Sequence, residues 1–136
     1  MKTLFVAAAL ICREKDPFRV LATARGYGEQ KGKWEFPGGK LEEGETGEQA
    51  IVREIWEELD VQIRVLHRLC RVEYDYPGFH LDMVCFLCSL NEGEEPKLLE
   101  AGDARWLSAK ELYTVDWLPA DLLVVRELEK YWSEGK

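Results

Sequence analysis

Three glutamates in one segment have the side-chain type and the spacing to bind a divalent metal ion. Glu54, Glu57 and Glu58 lie three and four residues apart between Gly38 and Leu59. On a helix, residues at these spacings share one face, so the three carboxylates would fall within an arc of about 100°. Carboxylate oxygens suit Mg²⁺ or Mn²⁺ better than zinc. The spacing therefore indicates a site for a hard divalent cation.

The same segment carries more negative charge than an ordinary surface helix. It contains seven glutamates but only two cations, Lys40 and Arg53. Glutamates three and four residues apart repel each other by roughly 0.2–0.5 kcal/mol per pair, and the negative end of the helix dipole adds to this repulsion. Arg53 can pair with Glu57, which relieves only part of it. On charge alone, a solvated acidic face is as reasonable as a metal site.

The residues before the helix favour the metal site. Gly38 and Gly39 follow Pro37, and adjacent glycines permit tight turns and a close approach of the backbone to a ligand. Their carbonyl oxygens would also be free to join the coordination shell of a metal. We therefore expect the loop, the helix and the carboxylates to form one site.

A helix must hold these glutamates, and the sequence defines where it begins. Thr46 and Gln49 have the spacing of a capping box, in which each side chain binds a backbone N–H of the first turn. At 100° per residue, a buried apolar stripe that would pack on a sheet is formed by Ile51, Val52, Ile55 and Leu59.

The rest of the chain predicts a mixed sheet with two further helical segments. Runs of β-compatible residues cover Thr3–Cys12, Phe18–Thr23, Trp34–Phe36, Val61–Tyr76, Phe79–Leu90 and Ala104–Leu107. The first two runs predict a hairpin, and Pro77-Gly78 predicts the turn of another. Helical patterns follow Ser108 and cover Asp121–Trp132. We expect one domain spanning residues 1–136, built as a compact α/β or α+β sandwich.

Composition excludes several classes of protein. The chain has 136 residues and a net charge of −8, from 18 basic and 26 acidic residues. This charge argues against sequence-independent binding of nucleic acid, which needs a basic face. No apolar run approaches the roughly 20 residues of a membrane span. The apolar stretch from Leu4 to Cys12 runs directly into charged residues, so we interpret it as a buried strand and not as a signal peptide.

The cysteines show no disulfide framework. Cys85 and Cys88 have C-x-x-C spacing but lie in a predicted strand, where residues three apart face opposite sides. Metal binding by this pair is therefore disfavoured. Buried thiols in a reducing compartment explain the cysteines better, and we expect a cytoplasmic protein.

The acidic segment resembles the Nudix box, the signature of a hydrolase family. The matching positions are Gly39, Glu45, Arg53, Glu54, Ile55, Glu57, Glu58 and Val61. Asp60 stands where the family usually has a glycine that ends the helix, often with positive φ. Aspartate tolerates that conformation better than most residues, so we expect a costlier cap and no loss of chemistry.

The resemblance implies a fold, an activity and a set of metal ligands. The fold would be a Nudix-like α/β/α sandwich, and the stretch KWEFPGGK is similar to the MutT group of nucleoside triphosphate pyrophosphohydrolases, including its CTP pyrophosphohydrolase branch. The cofactor would be Mg²⁺, with Mn²⁺ also possible. Glu100 lies six residues before Trp106, which is similar to a metal-site glutamate of that group. The implied ligands are Glu54, Glu57, Glu58, Glu100 and a carbonyl of Gly38 or Gly39.

The general base would be Glu54 or Glu100, and both remain open. Arg53 would orient Glu45 and Glu57 and not touch the substrate.

The same resemblance suggests residues that bind substrate. Arg25 and Lys40 are candidates for phosphate contacts, although either could be a plain surface charge. Phe36 could stack on a base or fill the core, and Phe79 could line the pocket with His80. Asp121 could read a base edge or merely cap the last helix. Ionised, it would accept from the cytosine amino group; protonated, it could read an altered purine edge.

Several functions agree with these residues. The leading hypothesis is removal of unwanted nucleotides, such as 8-oxo-dGTP, CTP or 5-methyl-dCTP, as the monophosphate and pyrophosphate. A second is a Nudix hydrolase of ADP-ribose or dinucleoside polyphosphates. A third, of another class, is a non-catalytic nucleotide sensor, which the full set of carboxylates disfavours. We expect a small-molecule substrate, no nucleic-acid or membrane partner, and a monomer or homodimer.

Overall fold

The computed structural model describes residues 1–13, 18–26, 28–91, 93–97 and 103–134. In these residues a mixed sheet of seven strands lies between two helices. The strands are β1 (Lys2–Arg13), β2 (Arg19–Ala24), β3 (Trp34–Glu35), β4 (Gly38–Lys40), β5 (Ile63–Tyr76), β6 (Phe79–Leu90) and β7 (Asp103–Leu107). The helices are α1 (Gly47–Leu59) and α2 (Pro119–Ser133), and Ala109–Glu111 forms one 3-10 turn.

Strand β1 is the centre of the sheet. It runs parallel to β6 from Lys2↔Phe79 to Cys12↔Ser89, and β6 pairs antiparallel with β5. Both predicted hairpins are therefore present, but β2 stays beside β1 only at Cys12↔Val20 and Arg13↔Arg19. Beyond that point β2 pairs with β3 and β7, which leaves the other side of β1 for β4.

Alternation along β1 builds a separate core on each face of the sheet. Ala8 and Leu10 pack in the core beneath α2, whereas Ala7, Ala9 and Ile11 pack in the core beneath α1. Burial on both faces explains why the sequence of β1 is continuously apolar. The two layers of helices around one mixed sheet confirm the predicted sandwich.

Cys85 and Cys88 also divide between the two cores, as alternation predicts. Within the described ranges, no helix is long and apolar enough to cross a membrane.

Three local predictions differ from the structure. Gly38–Lys40 is a short strand on β1 and not a loop, because a Cβ at Gly38 would lie 2.8 Å from Ala8 Cα and only glycine permits that approach. Helix α2 begins at Pro119, before the predicted Asp121, since proline suits the first helical position. Val52 is 37% exposed because it lies at the edge of the apolar stripe, and Ala50 is buried with the stripe instead.

Candidate active site

Helix α1 begins at the predicted capping box. Thr46 Oγ1 accepts a hydrogen bond from the Gln49 N–H (3.1 Å), and Gln49 Oε1 accepts one from the Thr46 N–H (2.9 Å). Ile51, Ile55 and Leu59 are fully buried against the sheet. Together the cap and the buried stripe fix the rotation of α1, and with it the direction in which the glutamates project.

Helix α1 ends at Asp60 in the left-handed conformation, with φ 55° and ψ 40°. The Asp60 N–H donates to the Trp56 carbonyl (3.1 Å), and the Asp60 carboxylate pairs with Lys97 (3.0 Å). Aspartate therefore adopts the left-handed conformation that the usual glycine often takes, and that we expected aspartate to tolerate. The cap stops the helix directly after Glu58 and Leu59.

Arg53 is the centre of the acidic cluster. Its Nε and Nη2 donate to the two carboxylate oxygens of Glu45 (2.7 and 2.9 Å). Its Nη1 donates to Glu54 (2.8 Å) and Glu57 (3.0 Å). Nη2 also donates to the Lys40 carbonyl (3.1 Å). The expected contacts with Glu45 and Glu57 are present, and those with Glu54 and the backbone of β4 are additional.

These contacts keep both Arg53 and Glu45 in their charged forms. The hydrogen bonds from Arg53, and then one from the Glu42 N–H, lower the pKa of Glu45 to about 2. The pKa of Arg53 is raised, first by Glu45 and then by Glu54. Arg53 is thus a permanent cation that joins the loop, the helix and β4. The last turn of α1 itself contains no basic residue, so its carboxylates lie at the negative end of the dipole.

The backbone of Gly39 packs directly against the carboxylate of Glu54. A Cβ at Gly39 would lie 2.6 and 2.7 Å from the two carboxylate oxygens of Glu54. Any side chain at this position would therefore displace that carboxylate. The glycine is required by the packing of the site, in contrast to Gly38, which is required by the sheet.

The register of β4 distinguishes the two glycine carbonyls. The Ala9 N–H donates to the Pro37 carbonyl (2.8 Å), and the Leu41 N–H donates to the Phe5 carbonyl (3.0 Å). Because hydrogen-bonded pairs alternate in an antiparallel ladder, Ala7↔Gly39 is the hydrogen-bonded pair between them. The Gly38 carbonyl therefore points away from β1.

The donor set fits a hard divalent cation, but the carboxylates do not form a closed cage. Among the described residues, no three His, Cys, Asp or Glu side chains are arranged to hold a metal. Nη1 of Arg53 lies between the carboxylates of Glu54 and Glu57 (2.8 and 3.0 Å). Mg²⁺ commonly takes one or two carboxylates and completes its shell with water and phosphate oxygens, which agrees with an open site. Glu58 is half-buried, and Glu100 lies outside the described residues.

A second cluster surrounds Asp121, on the other face of the sheet. Asp121 is only 4% exposed, and its Oδ2 accepts a hydrogen bond from the Phe36 N–H (2.9 Å). Burial raises the pKa of Asp121 to about 8, although the Phe36 N–H opposes the shift. The residue lies in the first turn of α2 but does not cap it, since the cap position is Leu118. A buried carboxyl that is largely protonated at neutral pH can donate a hydrogen bond as well as accept one.

The other predicted substrate residues lie at different depths. Arg25 forms a two-point ion pair with Glu35 (3.1 Å for each contact) and is exposed. Lys40 is exposed. The ring of Phe36 is 3% exposed and packs on Trp117 with centroids 4.7 Å apart, which places it in the core.

Phe79 is half-buried on the α2 side and stacks on Tyr76, with centroids 5.3 Å apart. Tyr76 is a residue that the sequence reasoning missed. Its hydroxyl accepts from the Ala120 N–H (3.0 Å), at the turn that carries Asp121. Its position opposite Phe79 across the Pro77-Gly78 turn was the available signal. His80 lies on the opposite face of β6 and binds Asp75 and Glu73.

One short segment joins the two clusters. Phe36 contacts Asp121 through its N–H, and Gly39 contacts the carboxylate of Glu54. Three residues of chain span at most about 11 Å. The backbone of this segment therefore contacts both the buried carboxyl and the acidic helix.

Comparisons with known proteins agree with this arrangement. The family model described as "NUDIX domain" matches residues 2–128. The 8-oxo-dGTP diphosphatase of Escherichia coli (strain K12) is 34% identical over 130 residues, which are 96% of this chain and 99% of that protein. The CTP pyrophosphohydrolase of the same organism is 45% identical over 65 residues, which are 48% of this chain and 47% of that protein.

Similarity extends to solved structures. The MutT NUDIX hydrolase from Burkholderia pseudomallei superposes with a TM-score of 0.81 at 25% identity, covering 93% of this chain and 98% of that one. The acidic loop and helix, their arginine centre and the sandwich that carries them therefore have one explanation: the chain belongs to the Nudix family and is a hydrolase of the MutT type.

Proposed function

We propose that the chain, acting as a single domain, is a Mg²⁺-dependent nucleoside triphosphate pyrophosphohydrolase that releases a monophosphate and pyrophosphate. The observation that carries this proposal is the short segment from Phe36 to Gly39, which touches Asp121 at one end and Glu54 at the other. Asp121 offers hydrogen bonds to a base edge, and the acidic helix offers oxygen ligands to a cation. A nucleotide carries both a base and a polyphosphate, so one substrate would use both groups.

Glu57, Glu58 and the Gly38 carbonyl would hold the metal ion. Gly38 is preferred to Gly39 because its carbonyl points away from β1, whereas that of Gly39 bonds to β1. A divalent ion bound there would offset the charge of the polyphosphate and lower the pKa of the attacking water. Glu54 is a further ligand or the general base, and Glu100 keeps the same two possible roles. Mn²⁺ would satisfy the same oxygen donors.

Other residues would position these groups and the substrate. Arg53 keeps Glu45 ionised and orients Glu54 and Glu57, which are its partners at 2.8 and 3.0 Å. Such outer contacts often change metal affinity or activity by 10–100-fold. Lys40, beside the glycines, and Arg25, at the end of β2, would contact phosphate oxygens. Phe79, together with Tyr76, would form an apolar wall for the base.

The protonation of Asp121 suggests which bases fit. A neutral carboxyl presents one O–H donor beside one acceptor, and so pairs with an edge that has an acceptor beside a donor. Oxidised guanine presents O6 and N7–H in this order, and cytosine presents N3 and its amino group. Ordinary guanine presents two acceptors, O6 and N7, on the same edge. The substrate is therefore 8-oxo-dGTP first, which agrees with the full-length similarity to an 8-oxo-dGTP diphosphatase, and CTP or 5-methyl-dCTP second.

The test is a hydrolysis panel with the purified protein and Mg²⁺. It contains 8-oxo-dGTP, dGTP, CTP, dCTP, 5-methyl-dCTP, ADP-ribose and diadenosine polyphosphates, with products separated by chromatography. The proposal expects monophosphate plus pyrophosphate from 8-oxo-dGTP or a cytosine nucleotide, abolished by EDTA. Cleavage of ADP-ribose or dinucleotides alone would replace it with the second Nudix activity.

A variant separates an enzyme from a binding module. Glu57→Gln removes one proposed ligand charge from an exposed position, so the fold is expected to survive. An enzyme would lose turnover by at least about tenfold, whereas a sensor would show no turnover in either form. Circular dichroism of both proteins checks that the fold is the same.

A further inference from the structure

The cation near Asp121 is itself paired with a carboxylate. The nearby cation, Arg25, is held by Glu35 through two contacts of 3.1 Å, from Nε to Oε2 and from Nη2 to Oε1. Glu35 precedes Phe36, whose N–H binds Asp121. Arg25 therefore lies directly after β2, and Glu35 lies beside the residue that binds the buried carboxyl.

We propose that Glu35 is a positioning residue for the base pocket: by holding Arg25 in a two-point ion pair, it prevents that cation from pairing with buried Asp121 and thereby sets which base edges the pocket accepts. This inference rests on the proposed function, in which Asp121 reads the base. It adds a residue that would touch neither base nor metal and would act through Arg25.

The charges around Asp121 support this role. The charged groups that act on Asp121 are Glu35, which disfavours the anion, and Arg25, which favours it. The titratable groups Tyr76 and Cys85 also face Asp121, but their pKa values are raised above their usual values of 10 and 9, so both are neutral where Asp121 titrates. Arg25 and Glu35 nearly cancel as long as they remain paired. Without Glu35, the guanidinium would act alone on a carboxyl that is 4% exposed, where charges are poorly screened. The anion of Asp121 would then be favoured twice, by the loss of one negative charge and by the release of one positive charge.

The charge of Asp121 determines the hydrogen bonds that it can offer. The neutral carboxyl pairs with an edge that has an acceptor beside a donor, as in oxidised guanine. The carboxylate has acceptors only, so it opposes an edge acceptor such as O6. An intact Arg25–Glu35 pair thus keeps Asp121 protonated near neutral pH, so that its carboxyl can both donate and accept a hydrogen bond.

The test compares the pH profiles of kcat/KM for 8-oxo-dGTP in the wild type, Glu35→Gln and the double variant Arg25→Gln/Glu35→Gln. The wild type is expected to lose activity as pH rises through about 8, where Asp121 ionises. Glu35→Gln should move this alkaline limb to lower pH by about one unit, which lowers kcat/KM about threefold at pH 7.5 and leaves it unchanged in acid. The double variant should return the limb towards its wild-type position, whatever its absolute rate.

A matched control uses an equivalent ion pair elsewhere. Asp82 binds Arg71 with the same two-point geometry (2.8 and 2.5 Å), away from Asp121. Asp82→Asn should leave the alkaline limb where it is in the wild type. A limb that moves equally in Asp82→Asn and Glu35→Gln would overturn the proposal, because the effect would then follow net charge alone.

A second readout does not depend on turnover. Carboxyl ¹³C NMR of aspartate-labelled protein follows the titration of Asp121, assigned by the signal that disappears in Asp121→Asn. The proposal expects this titration to move to lower pH in Glu35→Gln and back in the double variant. An unchanged titration would refute the proposal even if the enzyme is active. If the wild type cleaves no triphosphate while the titration still moves, the proposed function fails and the electrostatic role of Glu35 stands.

Discussion

Gly39 lies directly against the carboxylate of Glu54, so that a Cβ at Gly39 would come within 2.6 Å of Glu54 Oε2. In Gly39→Ala the carboxylate must turn away, because it is the mobile end of a side chain while β4 is fixed to β1. We expect kcat/KM to fall roughly 10–100-fold, as for other displaced groups at a metal site. The free energy of unfolding should change by less than about 1 kcal/mol.

Gly38→Ala is the matched control for this prediction. Its Cβ would meet the backbone of β1 at Ala8 (2.8 Å to Cα), which cannot move aside. We expect this variant to lose roughly 1–3 kcal/mol of stability in urea unfolding, the usual cost of overpacking. If Gly39→Ala loses as much stability as Gly38→Ala, Gly39 serves the sheet and not the site.

Arg53→Lys tests the centre of the acidic cluster. Arginine donates to Glu45, Glu54, Glu57 and the Lys40 carbonyl at once. A lysine keeps the charge but has three donors on one atom and cannot reproduce this fork. We expect kcat to fall roughly 10–100-fold and the Mg²⁺ concentration for half-maximal rate to rise. Both quantities come from initial rates measured over a series of Mg²⁺ concentrations.

Arg71→Lys controls for an arginine that holds carboxylates outside the site. In the wild type, Arg71 binds Asp82 through two contacts and lies 3.7 Å from Glu73. Its rate and Mg²⁺ dependence should stay within about twofold of the wild type, since exposed ion pairs contribute at most about 1 kcal/mol. Equal losses in Arg53→Lys and Arg71→Lys would mean that the acidic cluster has no special role.

The sequence predicted the helix of the site in detail because local chemistry determines it. The capping box and the Arg53–Glu57 pair follow from spacing within one segment. The left-handed Asp60 and the Arg53–Glu45 contact follow from the resemblance of that segment to the Nudix box. The sandwich followed from the runs of β-compatible residues together with the helical patterns.

Contacts between distant segments were beyond the sequence. Residue type cannot show that Phe36 offers its N–H to Asp121 while its ring packs on Trp117. Nor can it show that Glu35 holds Arg25 through two hydrogen bonds. These contacts depend on how β2, β3 and α2 meet, and the strand formed by Gly38–Lys40 depends on the space left beside Ala7 and Ala8. The pattern of short-range motifs contains none of this information.

Asp60→Gly is expected to stabilise the protein. Asp60 has φ 55°, a conformation that costs an L-residue roughly 1–2 kcal/mol and glycine almost nothing. The lost ion pair with Lys97 is exposed and contributes less than about 1 kcal/mol. The net gain should be about 0.5–1 kcal/mol in urea unfolding, with kcat/KM unchanged. Asp60→Ala keeps the strained φ, so it should not be stabilised, and a gain in both variants would contradict this account.

His80 should make stability depend on pH. Hydrogen bonds to Asp75, and then to Glu73, raise the pKa of His80 above 6.5. The folded state therefore holds the proton more tightly than the unfolded chain does. This contribution is complete below the unfolded pKa and is lost as pH rises through the raised folded pKa. In urea unfolding, His80→Gln should be less stable than the wild type at acidic pH, and this difference should shrink as pH rises through the raised pKa of His80. A difference that grows with pH would have the wrong sign.

Asp121 should also make the stability of the fold depend on pH. Its pKa is raised from 3.8 to about 8, mainly by burial. Between these values the folded protein keeps a proton that the unfolded chain releases. The linkage relation then requires the free energy of unfolding to fall as pH rises through this range. Asp121→Asn carries no titrating group and can still accept from the Phe36 N–H.

The free energy of unfolding of Asp121→Asn should therefore lack that slope. Relative to the wild type, the variant should become more stable as pH rises from about 5 to about 8. Urea unfolding at a series of pH values measures both slopes. Because His80 contributes in the same direction at the alkaline end of this range, the comparison is best made in the His80→Gln background, where only Asp121 differs. Parallel curves for the two proteins in that background would mean that Asp121 is ionised in the folded state throughout, and that the base pocket has no carboxyl donor to offer.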